Sequence, residues 1–263
     1  MNSNLRLAIS AAVHGGSEIM KVYASNDLGV EYKDDDSPLT LADTNCNDVI
    51  NSYLQKTDIP IISEENRQLD YSDRKDWNLC WIVDPLDGTK EFVKRNGEFT
   101  VNIALVENGR PLSGVIYVPD TKELYVADVA DSWSSKVQLK EHKIDPDSIN
   151  WEEYRIKPVS NPNEIRVVGS RSHMSEATEI FVESLKDQDT KVDIVSKGSS
   201  LKFCLVAEGK ADVYPRFAPT MEWDTAAGQA ICEAVGLKVI SKETNQPLLY
   251  NKENLLNPWF IVQ

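Results

Sequence analysis

Residues 81–92 read Trp81-Ile82-Val83-Asp84-Pro85-Leu86-Asp87-Gly88-Thr89-Lys90-Glu91-Phe92. The apolar run 79–83 has strand composition and delivers Asp84 to its C-terminal end. Pro85 and Gly88 then turn the chain sharply, and Thr89 opens a short helix containing Phe92 and Val93. Such a turn places two carboxylates and a main-chain carbonyl on one side, a set of hard oxygen donors suited to Mg²⁺. The N–H groups of Gly88 and Thr89, at a helix start, are free to hold a phosphate oxygen. Turn composition alone also accounts for Asp-Pro-x-Asp-Gly, so the decision rests on what else converges there.

Upstream, the short apolar run 59–62 also reads as a strand and also ends in acids, Glu64 and Glu65. In a chain with 42 acidic residues, a pair of this kind is ordinarily solvated surface. Before it, Leu5, Ile9, Ala12, Val13, Met20 and Tyr23 repeat at helical spacing and predict an amphipathic helix over 4–23, locally weakened by Gly15 and Gly16. Asp34, Asp35 and Asp36 lead to Pro38 in a loop. A second helix starts near Thr40 or Asp43 and buries Ala42, Cys46, Val49, Ile50 and Tyr53.

Downstream, residues 100–129 predict an antiparallel meander, with Asn108-Gly109 as its strongest turn signal. Residues 132–163 are polar, contain Pro146, Pro158 and Pro162, and mark a lobe boundary. Beyond them, runs at 165–169, 192–196, 211–214 and 237–240 read as strands alternating with helices near 175–187, 199–208 and 224–235. The expected division is an N-terminal α+β lobe over 1–160 and a C-terminal α/β lobe over 161–263. No internal repeat or low-complexity segment interrupts it.

The bulk properties narrow the chemistry. With 263 residues, 41% hydrophobic and 27% charged, the chain can bury a sizeable core. Cys46, Cys80, Cys204 and Cys232 form no C-x-x-C pair and read as reduced core residues; three histidines without H-E-x-x-H leave a zinc site short of ligands. Any metal must be oxygen-bound. A net charge of −14 argues against a nucleic-acid polymer or anionic membrane as partner, while allowing a small anionic substrate served by local cations. No apolar run approaches the roughly 20 residues of a membrane span, and no leader precedes the first helix, so a cytoplasmic enzyme is the simplest expectation. Oligomeric state is left open, a monomer included.

Thr40-x-Ala42-Asp43, Ser63-Glu64-Glu65, residues 81–92, and Glu222-Trp223-Asp224-Thr225-Ala226-Ala227-Gly228 occur in the order typical of one enzyme family. Over nearly its whole length the chain resembles the inositol-monophosphatase superfamily. Lys90-Glu91, the string from Lys94 through Leu105, Gly198-Ser199-Ser200-Leu201-Lys202-Phe203-Cys204 and Tyr214-Pro215-Arg216-Phe217 are similar to its bacterial 3'(2'),5'-bisphosphate nucleotidase branch.

The resemblance implies a layered αβαβα sugar-phosphatase-like fold and two or three Mg²⁺ ions as cofactor. Glu64, Asp84 and the Leu86 carbonyl would hold one ion, and Asp84, Asp87 and Asp224 a second, with Asp84 bridging. Thr89, paired with Asp43, would act with Glu64 on an attacking water. By sequence alone, Asp224 and Asp43 serve equally as helix caps. Gly88, Thr89 and Lys90 would meet the scissile phosphate. Ser199, Lys202 and Arg216 would meet the other phosphate or ribose, with His173 as a further candidate, although Ser199 also suits a helix cap and Lys202 a solvated face. The implied reaction is removal of the 3'-phosphate of adenosine 3',5'-bisphosphate by in-line attack of water, with its 5'-phosphosulfate analogue as a further substrate. Sulfur assimilation, lithium inhibition and loose inner-membrane association come with the resemblance. The competing expectations are an inositol or fructose phosphatase of the same superfamily and a non-catalytic divalent-ion protein, for which calcium-loop spacing is absent.

Overall fold

The computed structural model describes residues 1–33, 37–159, 164–169, 175–186 and 191–263. Helix α1 (Ser3–Tyr23) starts where the Asn2 side chain accepts the Leu5 N–H, and α2 (Leu41–Leu54) starts at a capping box between Thr40 and Asp43. Between them β1 (Glu31–Tyr32) pairs with β2 (Pro38–Leu39). Gly15 and Gly16 sit in α1 because its neighbours come close. A Cβ on Gly15 would lie 2.6 Å from Cys46 Sγ, and one on Gly16 2.5 Å from the Tyr117 ring. The α2 pattern holds with a difference. Val49 and Tyr53 are only half-buried, while polar Asp43 and Asn47 are buried in their stead.

The chain then builds a six-stranded sheet. After β3 (Ile61–Ser63) and the short α3 (Tyr71–Arg74) comes β4 (Leu79–Asp87), followed by α4 (Thr89–Val93). The predicted meander is β5 (Thr100–Glu107), β6 (Arg110–Val118) and β7 (Glu123–Asp128). An edge strand β8 (Trp133–Gln138) extends it, pairing with β7 inside the stretch expected to be linker. Its Trp-Ser-Ser-Lys-Val-Gln buries Trp133 and Val137 between polar residues, too weak an alternation to stand out in sequence. The order is β3-β4-β5-β6-β7-β8, with β3 parallel to β4 and the other neighbours antiparallel.

Both faces of this sheet are covered, which is why β4 reads as an unbroken apolar run. Trp81, Val83, Val101, Ile103 and Tyr117 face α1 and α2, whereas Cys80, Ile82, Ala104, Ile116 and Ala127 face the C-terminal helices.

The C-terminal part contributes β9 (Glu164–Gly169), α5 (Glu176–Ser184), β10 (Lys191–Ser196), α6 (Leu201–Ala207), β11 (Tyr214–Arg216), α7 (Ala226–Ala234), β12 (Val239–Ser241) and β13 (Phe260–Val262). β9 and β10 are parallel, as the alternation predicted, but β11-β13-β12 is antiparallel and a lone Val167–Val213 bridge joins the two pieces. β11 lies later than expected and carries Pro215, which lacks an N–H; the side away from β13 holds only that bridge, so no ladder is broken there. Val168, Tyr214 and Val262 face α6 and α7, and Val167, Val213 and Ile261 face α5. Five layers result, α-β-α-β-α, as the family resemblance implied. No helix among the described residues is long and apolar enough to cross a membrane.

Gly114 in β6 lets α7 seat on the large sheet. A Cβ there would lie 2.6 Å from the Ala227 carbonyl oxygen and 2.7 Å from Ala230 Cβ. Gly114→Ala is expected to cost about 1–3 kcal/mol, read as a melting temperature lowered by roughly 2–4 °C per kcal/mol. An unchanged melting temperature would show that the helix has room to move.

Candidate active site

The two acids of the opening motif meet because β4 is irregular. Asp84 pairs with Asn102 and Asp87 with Thr100, so β4 carries one extra residue between them. In a regular strand, residues three apart point to opposite faces; the bulge turns both side chains to one side. Gly88 follows at φ 93°, a left-handed conformation a side chain would strain, and its own Cβ would lie 3.0 Å from the Glu98 carbonyl. α4 begins there.

Asp224 arrives from far along the chain, at the end of a 3-10 turn over Glu222–Asp224. It does not cap α7. Its Oδ2 accepts the Met221 N–H at 2.8 Å, and Thr225 stands at the helix start. Fully buried Glu222 anchors this turn by accepting the Asn251 N–H at 2.5 Å, the Lys252 N–H at 3.0 Å and Lys252 Nζ at 2.5 Å. Asp84, Asp87 and Asp224 thereby bring carboxylate oxygens within 4.8 Å of one another. Burial, then the charge of Asp87, holds the Asp224 carboxyl up at about 7. Burial and the surrounding Glu64, Asp87 and Asp224 push Asp84 well above the ordinary range.

Glu64 extends the β3 ladder, its N–H donating to the Val83 carbonyl at 3.1 Å. It stands outside the tight triad, close enough to raise Asp84, and is paired with Lys33 at 2.9 Å. Lys33 also reaches Glu65 at 2.6 Å. Burial raises the Glu64 carboxyl and Lys33 opposes that rise. Nothing in the sequence around the Asp34 to Asp36 run singled out Lys33, because the pairing spans two distant loops.

Asp43 holds two positions at once. Its Oδ2 accepts from the Thr40 N–H at 2.7 Å and the Thr40 hydroxyl at 2.6 Å, completing the cap of α2. Its Oδ1 faces the Thr89 hydroxyl at 3.1 Å, and that hydroxyl also lies 3.2 Å from the Leu86 carbonyl oxygen. Cap and partner are therefore one residue. Burial raises the Asp43 carboxyl to about 6.

A cleft of about 440 Å³ opens beside the triad and is lined by Asp87, Gly88, Ser199, Lys202, Arg216 and Asp224, with Lys94, Lys197 and Tyr214 among further residues. Lys202 sits 5.8 Å from the Tyr214 ring centroid and donates to the Ser199 carbonyl at 2.9 Å; burial lowers its ammonium pKa. Arg216 donates to the Pro219 carbonyl at 3.1 Å, while its buried Nε has no hydrogen-bond partner among the described residues. Lys90 is exposed and is not among the cleft-lining residues, whereas Lys94, one turn further along the chain, is. His173 lies outside the described residues.

Thr100, Asn102, Ser200 and Glu98 were missed. The first two had a signal: polar residues inside Thr100-Val101-Asn102-Ile103-Ala104-Leu105, a strand otherwise apolar on both faces.

Comparison with known proteins agrees with this geometry. A family model described as the inositol monophosphatase family matches residues 1–258. The 3'(2'),5'-bisphosphate nucleotidase CysQ of Salmonella typhimurium is 41% identical over 95% of this chain and 96% of its own. The crystal structure of CysQ from Bacteroides thetaiotaomicron superposes with a TM-score of 0.89 at 47% identity, covering 99% of this chain and 97% of that one. An inositol monophosphatase from Anabaena, 20% identical, shares the fold at a TM-score of 0.69 over 99% of this chain and 89% of its own. Ordered motifs, five layers and an oxygen-only acidic triad agree with these matches: the chain belongs to the inositol monophosphatase family.

Proposed function

We propose that this chain is a Mg²⁺-dependent phosphomonoesterase that removes the 3'-phosphate of adenosine 3',5'-bisphosphate, giving AMP and phosphate, as the name of its CysQ relatives suggests. The observation that carries the reading is one cleft whose lining includes Asp87 and Asp224 of the acidic triad together with the cations Lys202 and Arg216. A substrate with two separated phosphates engages both the acidic and the cationic groups. An inositol monophosphate has no second phosphate for Lys202 and Arg216.

The triad fits hard cations. It offers only oxygen donors, and its mutual repulsion in a buried setting calls for positive charge. Asp84, Asp87 and Asp224 would hold one Mg²⁺; Glu64, Asp84 and the Leu86 carbonyl would hold a second, and a third is compatible with the acids nearby. Bound there, the ions would supply Lewis-acid polarisation of the phosphoryl oxygens and acidify water.

The chain's own groups then have separate tasks. Gly88 and Thr89 N–H groups bind the scissile phosphate at the start of α4. The Thr89 hydroxyl, held by Asp43 Oδ1, orients the attacking water, and Glu64 with Asp43 receives its proton. Arg216, whose Nε has no hydrogen-bond partner among the described residues, and Lys202 with Ser199 hold the 5'-phosphate. The two lobes, 1–160 and 161–263, would both contribute lining residues to the cleft. The 5'-phosphosulfate analogue would engage the same acidic and cationic groups.

Asp84→Asn is expected to abolish phosphate release while leaving the near-ultraviolet circular dichroism spectrum native; near-normal hydrolysis would refute the ion assignment. Arg216→Ala is expected to lower kcat/KM on adenosine 3',5'-bisphosphate by about ten- to a hundredfold, and to affect a simple monophosphate far less. Equal losses in a parallel assay would remove Arg216 from specificity.

Ion linkage gives a pH test. Asp224 and Asp43, raised to about 7 and about 6, hold protons more tightly folded than unfolded. Without ions, their unfavourable contribution grows as pH rises from the ordinary carboxylate range through those values. In EDTA the protein is expected to melt lower at about pH 8 than at about pH 5.5, and Mg²⁺ is expected to close most of that gap. Equal melting temperatures in EDTA would contradict the shifts.

A further inference from the structure

The hydrogen bonds around Asp87 cross the molecule. Its Oδ2 accepts from the Ser200 N–H at 2.6 Å, the Ser199 hydroxyl at 2.8 Å and the Asn102 amide at 3.4 Å. Asn102 lies on β5, next to β4, while both serines belong to the turn that opens α6. Behind them the Thr100 hydroxyl lies 2.6 Å from Ser199 Oγ, 2.8 Å from Ser200 Oγ and 3.1 Å from Asn102 Oδ1. The Ser200 hydroxyl donates to Asn102 Oδ1 at 2.8 Å.

Thr100, Asn102 and Ser200 are 0%, 1% and 2% exposed. Burying three polar side chains is costly unless they satisfy one another, and a layer interface needing only packing is served by apolar residues such as neighbouring Val101 and Ile103. The turn itself is held under constraint. Ser199 has φ 54°, and Glu98 fixes the preceding residue by accepting the Gly198 N–H at 2.8 Å. The same turn offers its Ser199 carbonyl to Lys202 Nζ at 2.9 Å.

We infer that Thr100, Asn102 and Ser200 are positioning residues that hold Asp87 for the ion and the Ser199–Lys202 turn for the second phosphate. Because one buried cluster fixes both, ion and second anion reinforce each other's binding, and the coupling is reciprocal. This rests on the ion and phosphate assignments proposed above.

The test is a Mn²⁺ titration followed by electron paramagnetic resonance of the free ion, on wild type, Thr100→Val, Thr100→Ser and Ser200→Ala, with and without AMP as the second-anion probe. Thr100→Val and Ser200→Ala are expected to bind Mn²⁺ about ten- to a hundredfold more weakly, with Thr100→Ser close to wild type. AMP is expected to tighten Mn²⁺ binding in wild type and to lose that effect in both weakened variants. Melting curves in EDTA report folding, and if Thr100→Val does not fold, Ser200→Ala carries the comparison. Wild-type Mn²⁺ affinity and AMP response in the folded variants would overturn the inference while leaving the ion site standing. A wild type that binds no Mn²⁺ would remove the ion site itself, and the inference with it.

Discussion

Three carboxylates within 4.8 Å of one another, at the junction of two sheets and their helices, are the constraint on which this molecule is built. Like charges at that range in a partly dry setting repel strongly, and the protein answers by holding protons on Asp84 and Asp224 well above the ordinary range. An arrangement of this kind lowers the stability of the ion-free chain. Its persistence makes sense where divalent cations complete the site and turn repulsion into binding energy.

The fold supplies the rigidity such a cluster needs. Asp84 and Asp87 sit on a central strand covered on both faces, so the bulge between them cannot relax into solvent. Asp224 is fixed from behind by fully buried Glu222, which ties its turn to residues 251 and 252. α7 then runs directly onto the large sheet, close enough that Gly114 has no space for a methyl group. Asp87 is held in turn by the polar cluster beneath the start of α6. Acid positions, helix seating and the turn that opens α6 are thus parts of one packing arrangement, and a shift in any of them is felt at the others.

Several features were readable from local chemistry. The helices α1 and α2, the strands β3 and β4 with acids at their ends, and the Asn108-Gly109 hairpin follow from periodicity and turn residues, which act over a few positions. Edge strand β8 and the three-residue central strand β13 escaped notice because a six-residue stretch of mixed polarity and a run of only three residues carry little periodic signal. The antiparallel β11-β13-β12 order was invisible for a further reason: which strands become neighbours depends on distant packing.

Local sequence set the type of chemistry: oxygen donors in place of zinc-type ligand spacing, acids at two strand ends and a glycine turn opening a helix, with the downstream cations supplied by the family resemblance. Tertiary structure alone decided that Asp224 joins Asp84 and Asp87, that Asp43 caps α2 and also meets Thr89, that Lys33 reaches Glu64, and that Ser199 and Ser200 grip Asp87. The physical reason is range. Propensity, capping and turn geometry are set by neighbours along the chain, whereas the distances between those carboxylates and their donors are set by how five layers, far apart in sequence, pack at fixed spacing.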